Sequence, residues 1–212
     1  MPVDGREAQL YRVCDWMVKL AYANLLWLVF SLIGLVAVGL APASISLFTV
    51  IRKWLIEEEN IPVFKTFFHT YKKEFFRANA LGLLIMLAMC VLYADFLYML
   101  NEKGVMQGLF SAVLLMAIVF CIMIALYIFP IYVHYQLSVF QYIKYAFLIG
   151  ATNPITTVAM IVSIFFLGII FMYMPAFIPF FGASSFSFIL MWGGLSCFRK
   201  IEKKKRLIKN VK

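Results

Sequence analysis

Between Lys19 and Arg52 the chain carries no Asp, Glu, Lys or Arg, and the same is true from Lys103 to Lys144 and from Lys144 to Arg199. A shorter charge-free run lies between Arg77 and Asp95. A bilayer-spanning helix takes about 20 consecutive apolar residues. The runs after Lys19 and Lys103 each exceed one span, and the run after Lys144 is long enough for two. A soluble domain needs roughly 25% charged residues to cover itself; this chain has 14%, with 65% apolar. Disorder requires the opposite balance, and four scattered cysteines exclude a disulfide scaffold. The fold class is therefore all-α, a polytopic membrane bundle. Residues 1–198 form a single integral membrane domain, and residues 199–212 form a polybasic tail.

Glycine and proline divide the long runs. Gly39-Leu40-Ala41-Pro42 ends a first helix over residues 20–38, and Pro42 suits the opening turn of a shorter second one over 43–56. Residues 78–100 make a third helix. A polar turn, Asn101-Glu102-Lys103-Gly104, leads into a fourth over 105–129, where Pro130 marks its end or a kink. Asn153-Pro154 opens a fifth over 155–174. Pro175, Pro179 and Gly182-Ala183-Ser184-Ser185 form the next turn, and the last helix runs from near Phe177 to Phe198. This makes six transmembrane or membrane-embedded helices, or five spans if residues 43–56 do not cross.

Two connecting segments have the pattern of interfacial amphipathic helices. In the first, Phe64, Phe67, Phe68, Tyr71 and Phe75 recur at helical spacing, with Lys65, Lys72, Lys73 and Arg77 elsewhere around the helix. The second covers residues 138–146, with Ser138 as its N-cap and Phe140, Ile143 and Phe147 as its apolar stripe, beside Lys144. Such segments are either connectors packed on the bundle or surfaces that dock on membrane or partner; Phe64, Lys65, Phe67, Phe68, Tyr71, Phe140 and Lys144 are the residues that would do so.

Orientation follows from the basic residues. With six crossings, every one of the 19 Lys and Arg residues except Lys103 falls on one side. With five, Arg6, Arg12 and Lys19 join Lys103 on the other. The positive-inside rule favours six, with both termini cytoplasmic. The anchors are Arg52, Lys53, Arg199, Lys200, Lys203, Lys204, Lys205 and Arg206. Ala41-Pro42-Ala43 mimics a signal-peptidase site, but the apolar stretch before it is nearly twice a normal h-region, so the segment is expected to be retained.

Nothing in the chain has the spacing of a catalytic or metal-binding motif, so no enzyme activity, cofactor or metal is expected. The tail interleaves no aromatic residue for base stacking, so nucleic acid is not an expected partner; the lipid bilayer is. One carboxylate, Asp95, lies within a span. An acid there costs about 2.5–3.5 kcal/mol at the bilayer centre and is a functional candidate by default, for substrate or proton contact. It lies close to Asn101, however, and a structural bond to a neighbouring helix or to Lys103 would serve equally. Asn24 is the second polar candidate; an amide there more plausibly fixes packing than binds solute.

The strings Leu10-Tyr11-Arg12, Asn24-Leu25-Leu26-Trp27, Gly39-Leu40-Ala41-Pro42-Ala43, Ile51-Arg52-Lys53-Trp54 and Phe64-Lys65-Thr66-Phe67 resemble those of the YesL-like family of bacterial membrane proteins. Tyr93-Ala94-Asp95, Phe129-Pro130 and Asn153-Pro154 fit the same pattern. The family has no defined activity. The resemblance implies an integral membrane protein of Gram-positive-type bacteria whose genes lie near those for carbohydrate uptake and polysaccharide degradation. The expected role is a non-enzymatic accessory component beside an oligosaccharide importer, in contact with its subunits. The alternative is a small transporter or channel.

Overall fold

A computed structural model describes residues 5–56, 61–101 and 104–210. The described residues form helices and turns with no strand: α1 (Gly5–Ile33), α2 (Leu40–Ile56), α3 (Val63–Asn101), α4 (Val105–His134), α5 (Val139–Thr152), α6 (Pro154–Tyr173), a single 3-10 turn (Pro175–Phe177) and α7 (Ile178–Asn210). Five helical segments are long and apolar enough to cross a membrane, at Gln9–Ile33, Val63–Leu100, Val105–His134, Pro154–Tyr173 and Pro175–Lys203. The short α2 is not one of them.

α2 is nevertheless the centre of the bundle. Ala43, Ile45, Leu47, Phe48, Val50, Ile51 and Trp54 are all buried. Its 17 residues rise only about 25 Å at 1.5 Å each, short of a hydrocarbon core of about 30 Å, so longer helices must shield it. It runs antiparallel to α1. Trp27 Nε1 donates to Ser44 Oγ at one end of the pair, and the Trp16 and Trp54 rings meet edge to face at the other.

The turn between α1 and α2 comes earlier than residue 38, because helix conformation is lost after Ile33. Leu35 and Val36 take the left-handed conformation, at φ 54° and 61°, which is costly for any residue with a Cβ and most of all for a β-branched one. Gly34 and Gly39 make this possible. A Cβ on Gly34 would collide with the Gly39 Cα, and one on Gly39 with the Ser31 carbonyl oxygen. Two backbones therefore touch where the chain reverses.

The expected first interfacial helix and third span are one continuous helix. The residues that bury it, Phe67, Tyr71, Ala78 and Leu81, continue one stripe across the expected break, and no Gly or Pro interrupts it before Gly82. At 39 residues, α3 is roughly 58 Å long, beyond the 40–45 Å of a whole bilayer. Pro130 likewise does not end α4, which continues to His134. Leu126, Tyr127, Ile128 and Ile131 are buried around it, and Pro130 seats against Gly194 of α7, where a Cβ would come within 2.7 Å of the Pro130 Cβ. The turn before α7 is confined to residues 174–177, and Gly182-Ala183-Ser184-Ser185 is helical.

α5 begins where expected. Ser138 is its N-cap, and its N–H donates to the Gln141 side-chain oxygen, the reciprocal half of a capping box. It runs on to Thr152 and folds back along α4, with Tyr142 against Tyr132 and Phe147 against Phe120. Its buried face is Tyr142, Ala146, Ile149 and Gly150. Of the expected stripe, Phe140 faces outward at 79% exposed, Ile143 is half-buried and Phe147 lies against Phe120.

Candidate functional site: the polar junctions of the bundle

In a bundle this apolar, the polar atoms that meet other helices are few, and most are engaged in holding helices together. Asn24 is 1% exposed. Its amide nitrogen donates to the Pro179 carbonyl at 2.6 Å, and its oxygen accepts the Ser184 N–H at 2.9 Å. Both partners lie in the first turns of α7, so one α1 side chain clamps the entry of the last helix. This is a packing role, with both ends of the amide used.

A second junction centres on Tyr127 of α4, which is fully buried. Its hydroxyl shares a hydrogen bond with Thr157 Oγ1 of α6 at 2.9 Å and lies 3.9 Å from Cys197 Sγ of α7. Thr157 Oγ1 also reaches the Gly150 and Asn153 carbonyls. Four helices, α4 to α7, meet at one phenol.

The third junction gathers the ends of α2, α4 and α7. Arg52 Nε donates to His134 Nδ1 at 3.3 Å. The acceptor role of Nδ1 puts the imidazole proton on Nε2, which faces Glu202 Oε1 at 3.7 Å. The Phe198 ring lies against the imidazole on one side and Tyr135 meets it edge-on. Burial, and the Glu202 carboxylate beside it, push the Tyr135 phenol above its ordinary value, so it remains a neutral hydroxyl. Nearby, Tyr132 donates to Glu74 Oε2 of α3 at 2.8 Å. Tyr142 accepts the Leu137 N–H and donates to the Tyr135 carbonyl, closing the α4–α5 turn.

These contacts define one basic face of the molecule, where the ends of α2 and α4 and the later part of α7 meet α3 at Glu74. Arg52 and Lys53 are half-buried there, whereas Arg199, Lys200, Lys203 and Arg206 are exposed. The side chains of Lys204 and Lys205, and the residue Lys103, lie outside the described residues. Of the proposed docking residues on α3, Phe67 and Tyr71 turn inward. They enclose Phe30 of α1, and the Tyr71 hydroxyl donates to the Phe30 carbonyl. Phe64, Lys65 and Phe68 face outward, as do Lys144 and Phe140 on α5. Asp95 is exposed on α3. It makes no hydrogen bond or ion pair among the described residues, so the expected bond to a neighbouring helix is not formed there.

Tyr127, Tyr132, Tyr142, Thr157, Glu74 and Glu202 were not evident as functional positions from sequence. The usable signal was tyrosine inside an apolar span, since a buried phenol needs a partner. His134 was visible only as one of two isolated histidines. Among the described residues no three His, Cys, Asp or Glu side chains cluster in a way that could hold a metal.

Residues 20–96 match the family model described as a protein of unknown function, DUF624. The chain is 38% identical to the uncharacterized protein YesV of Bacillus subtilis over 193 residues, which cover 91% of this chain and 93% of that one. It is 36% identical to the uncharacterized protein YteU of the same organism, across 90% and 86% of the two chains. With the uncharacterized protein YesL, also of Bacillus subtilis, it shares 32% identity over 92% of each. No solved structure matches it. With similarity this extensive and a helical bundle built to cross a membrane, the chain belongs to the DUF624, YesL-like family.

Proposed function

We propose that this protein is a non-enzymatic accessory subunit of the bacterial plasma membrane, working beside a carbohydrate importer with its basic face in the cytoplasm. The observation that carries this reading is the division of labour among the polar side chains. Asn24, Tyr127, Tyr132 and His134 are spent on joining helices. The outward residues of the α3 start, Phe64, Lys65, Phe68 and Lys72, form an aromatic and basic face on a helix longer than the bilayer is thick. Such a face suits a partner or a lipid surface. The carbohydrate importer as partner rests on the family resemblance alone.

The test is affinity purification of the full chain from its native membrane in a mild detergent. Stoichiometric recovery of importer subunits, lost when Phe64 and Phe68 are both changed to Ser, supports the accessory role. A lone monodisperse protein that moves a sugar into liposomes overturns it. The second reading, a small transporter, draws on Asp95, an acid in a span without a described partner. It predicts that Asp95→Asn inserts normally and abolishes flux.

A further inference from the structure

Where α4 turns into α5, beside the later part of α7, lies a pocket of about 600 Å³, within the size of established ligand sites. Its walls include Tyr135 just after α4, Tyr145, Leu148 and Ile149 of α5, and Lys200 and Ile201 of α7. Helix register sets its depth. α6 and α7 run antiparallel, with Thr157 joined through the Tyr127 hydroxyl to Cys197 and Met160 packed on Gly193. Asn153, about one turn before Thr157, and Lys200, about one turn after Cys197, therefore share a level, and both line the pocket. At that level α4 has ended at His134, α6 begins at Pro154, and the charge-free run of α7 has given way to Arg199. The pocket lies at helix ends on the basic face, at the depth of lipid headgroups.

The polar groups in its walls select an anion. Thr152 and Asn153 turn back on α5. The Thr152 hydroxyl donates to the Leu148 carbonyl, and the Asn153 amide nitrogen donates to the Ile149 carbonyl and to Thr152 Oγ1. Their donors are spent. The Lys200 ammonium and the Tyr135 and Tyr145 hydroxyls make no hydrogen bond or ion pair among the described residues, so three donors remain. No carboxylate lines the pocket, and Glu202, the carboxylate beside Tyr135, faces His134 Nε2 at 3.7 Å. One cation and two phenols without an acid suit a phosphate group, which accepts charge-assisted hydrogen bonds. Leu148, Ile149 and Ile201 stand beside these donors, so the guest carries an apolar part next to its anion, which free phosphate lacks. Basic pockets between membrane helices take anionic headgroups in this way. Arg199, Lys203 and Arg206, exposed on the same part of α7, favour a lipid of net negative charge over a zwitterionic one.

We propose that this pocket binds one anionic phospholipid, its phosphate held by Lys200, Tyr135 and Tyr145 and the start of an acyl chain laid along Leu148 and Ile201. The lipid then joins the end of α4, α5 and α7 on the face where the basic residues are exposed.

The test titrates the full chain, purified in a detergent compatible with native mass spectrometry, with phosphatidylglycerol, phosphatidylcholine or inorganic phosphate. The expected result is one tightly held phosphatidylglycerol per chain, preferred about fivefold over phosphatidylcholine, and no uptake of inorganic phosphate. Lys200→Gln should weaken phosphatidylglycerol binding about tenfold, as loss of a charged hydrogen bond does, and Tyr145→Phe about threefold. Arg199→Gln removes an equal charge from the neighbouring position, outside the pocket, and should change binding by less than about twofold. Lys200, Tyr145 and Arg199 are exposed, so the lipid-free thermal transition should stay in place in all three variants. If Lys200→Gln loses that transition, Leu148→Asp replaces it, setting a carboxylate in the pocket from a position 48% exposed, with the same loss expected. Equal losses for Lys200→Gln and Arg199→Gln would mean attraction by surface charge only and overturn the proposal. Equal binding of phosphatidylcholine, or uptake of inorganic phosphate in place of lipid, would overturn it as well.

Discussion

Asn24 and Asp95 look alike in the sequence, each a short polar side chain in an apolar run, yet the structure separates them. Asn24 satisfies both ends of its amide on α7. Interhelical hydrogen bonds in membranes average about 0.6 kcal/mol each. Asn24→Leu keeps the side-chain branching, removes both bonds and leaves the Ser184 N–H without its acceptor. Its stability in detergent, measured by thermal unfolding, is expected to fall by about 1–2 kcal/mol. Asp95 holds nothing among the described residues, so Asp95→Asn is expected to leave the same transition within about 0.5 kcal/mol. Equal losses for the two variants would contradict this assignment. Ser31 gives the converse case. Its hydroxyl is buried without a partner, so Ser31→Ala is expected to be neutral or to raise stability, since an unsatisfied buried hydroxyl costs about 1–3 kcal/mol.

At the scale of elements, the glycines divide by what yields around them. A Cβ on Gly39 runs into the Ser31 carbonyl, which belongs to a helix backbone; one on Gly193 runs into the sulfur of Met160, the flexible part of a side chain. Overpacking typically costs about 1–3 kcal/mol. Gly39→Ala is therefore expected to lie at or above that range and Gly193→Ala near its lower end, a ranking that unfolding of the two variants checks directly. The same contrast explains what could be read from sequence. The long charge-free runs, the short α2, the Ser138 cap and the Asn153-Pro154 start are local signals, and each appears in the structure. The continuity of α3 depends on Phe67 and Tyr71 finding Phe30, forty residues away in the chain, and the buried face of α5 depends on which side α4 presents. Those are tertiary facts. The aromatic and basic pattern made residues 64–77 an interfacial segment, and only packing makes it the first part of a 39-residue helix.

For the whole molecule, the decisive question is which ends share a side. α1 and α2 form an antiparallel pair through Trp27–Ser44 and Trp16–Trp54. The end of α2 then meets the ends of α4 and α7 through Arg52, His134 and Glu202. α1 also runs antiparallel to α7, since Asn24 meets Pro179 and Ser184 whereas the earlier Trp16 meets the later Phe188. The start of α1 thus lies toward the C-terminal part of α7, on the basic face. That is the arrangement the six-crossing reading expects, and it requires α2 to bring the chain back despite its length. Single cysteines placed in a chain lacking the four native ones test this. Arg12→Cys and Arg206→Cys are expected to react with an impermeant maleimide only after the cytoplasmic side is opened. Val105→Cys, 83% exposed at the start of α4, should react in intact cells. If Arg12→Cys labels together with Val105→Cys, α2 does not return the chain and the five-span arrangement holds. The Arg52–His134–Glu202 junction would then join helix ends from an arrangement different from the one described. Joint protection of Arg12→Cys and Arg206→Cys would make that junction the inner seam of the bundle, close to the Tyr132–Glu74 bond to α3.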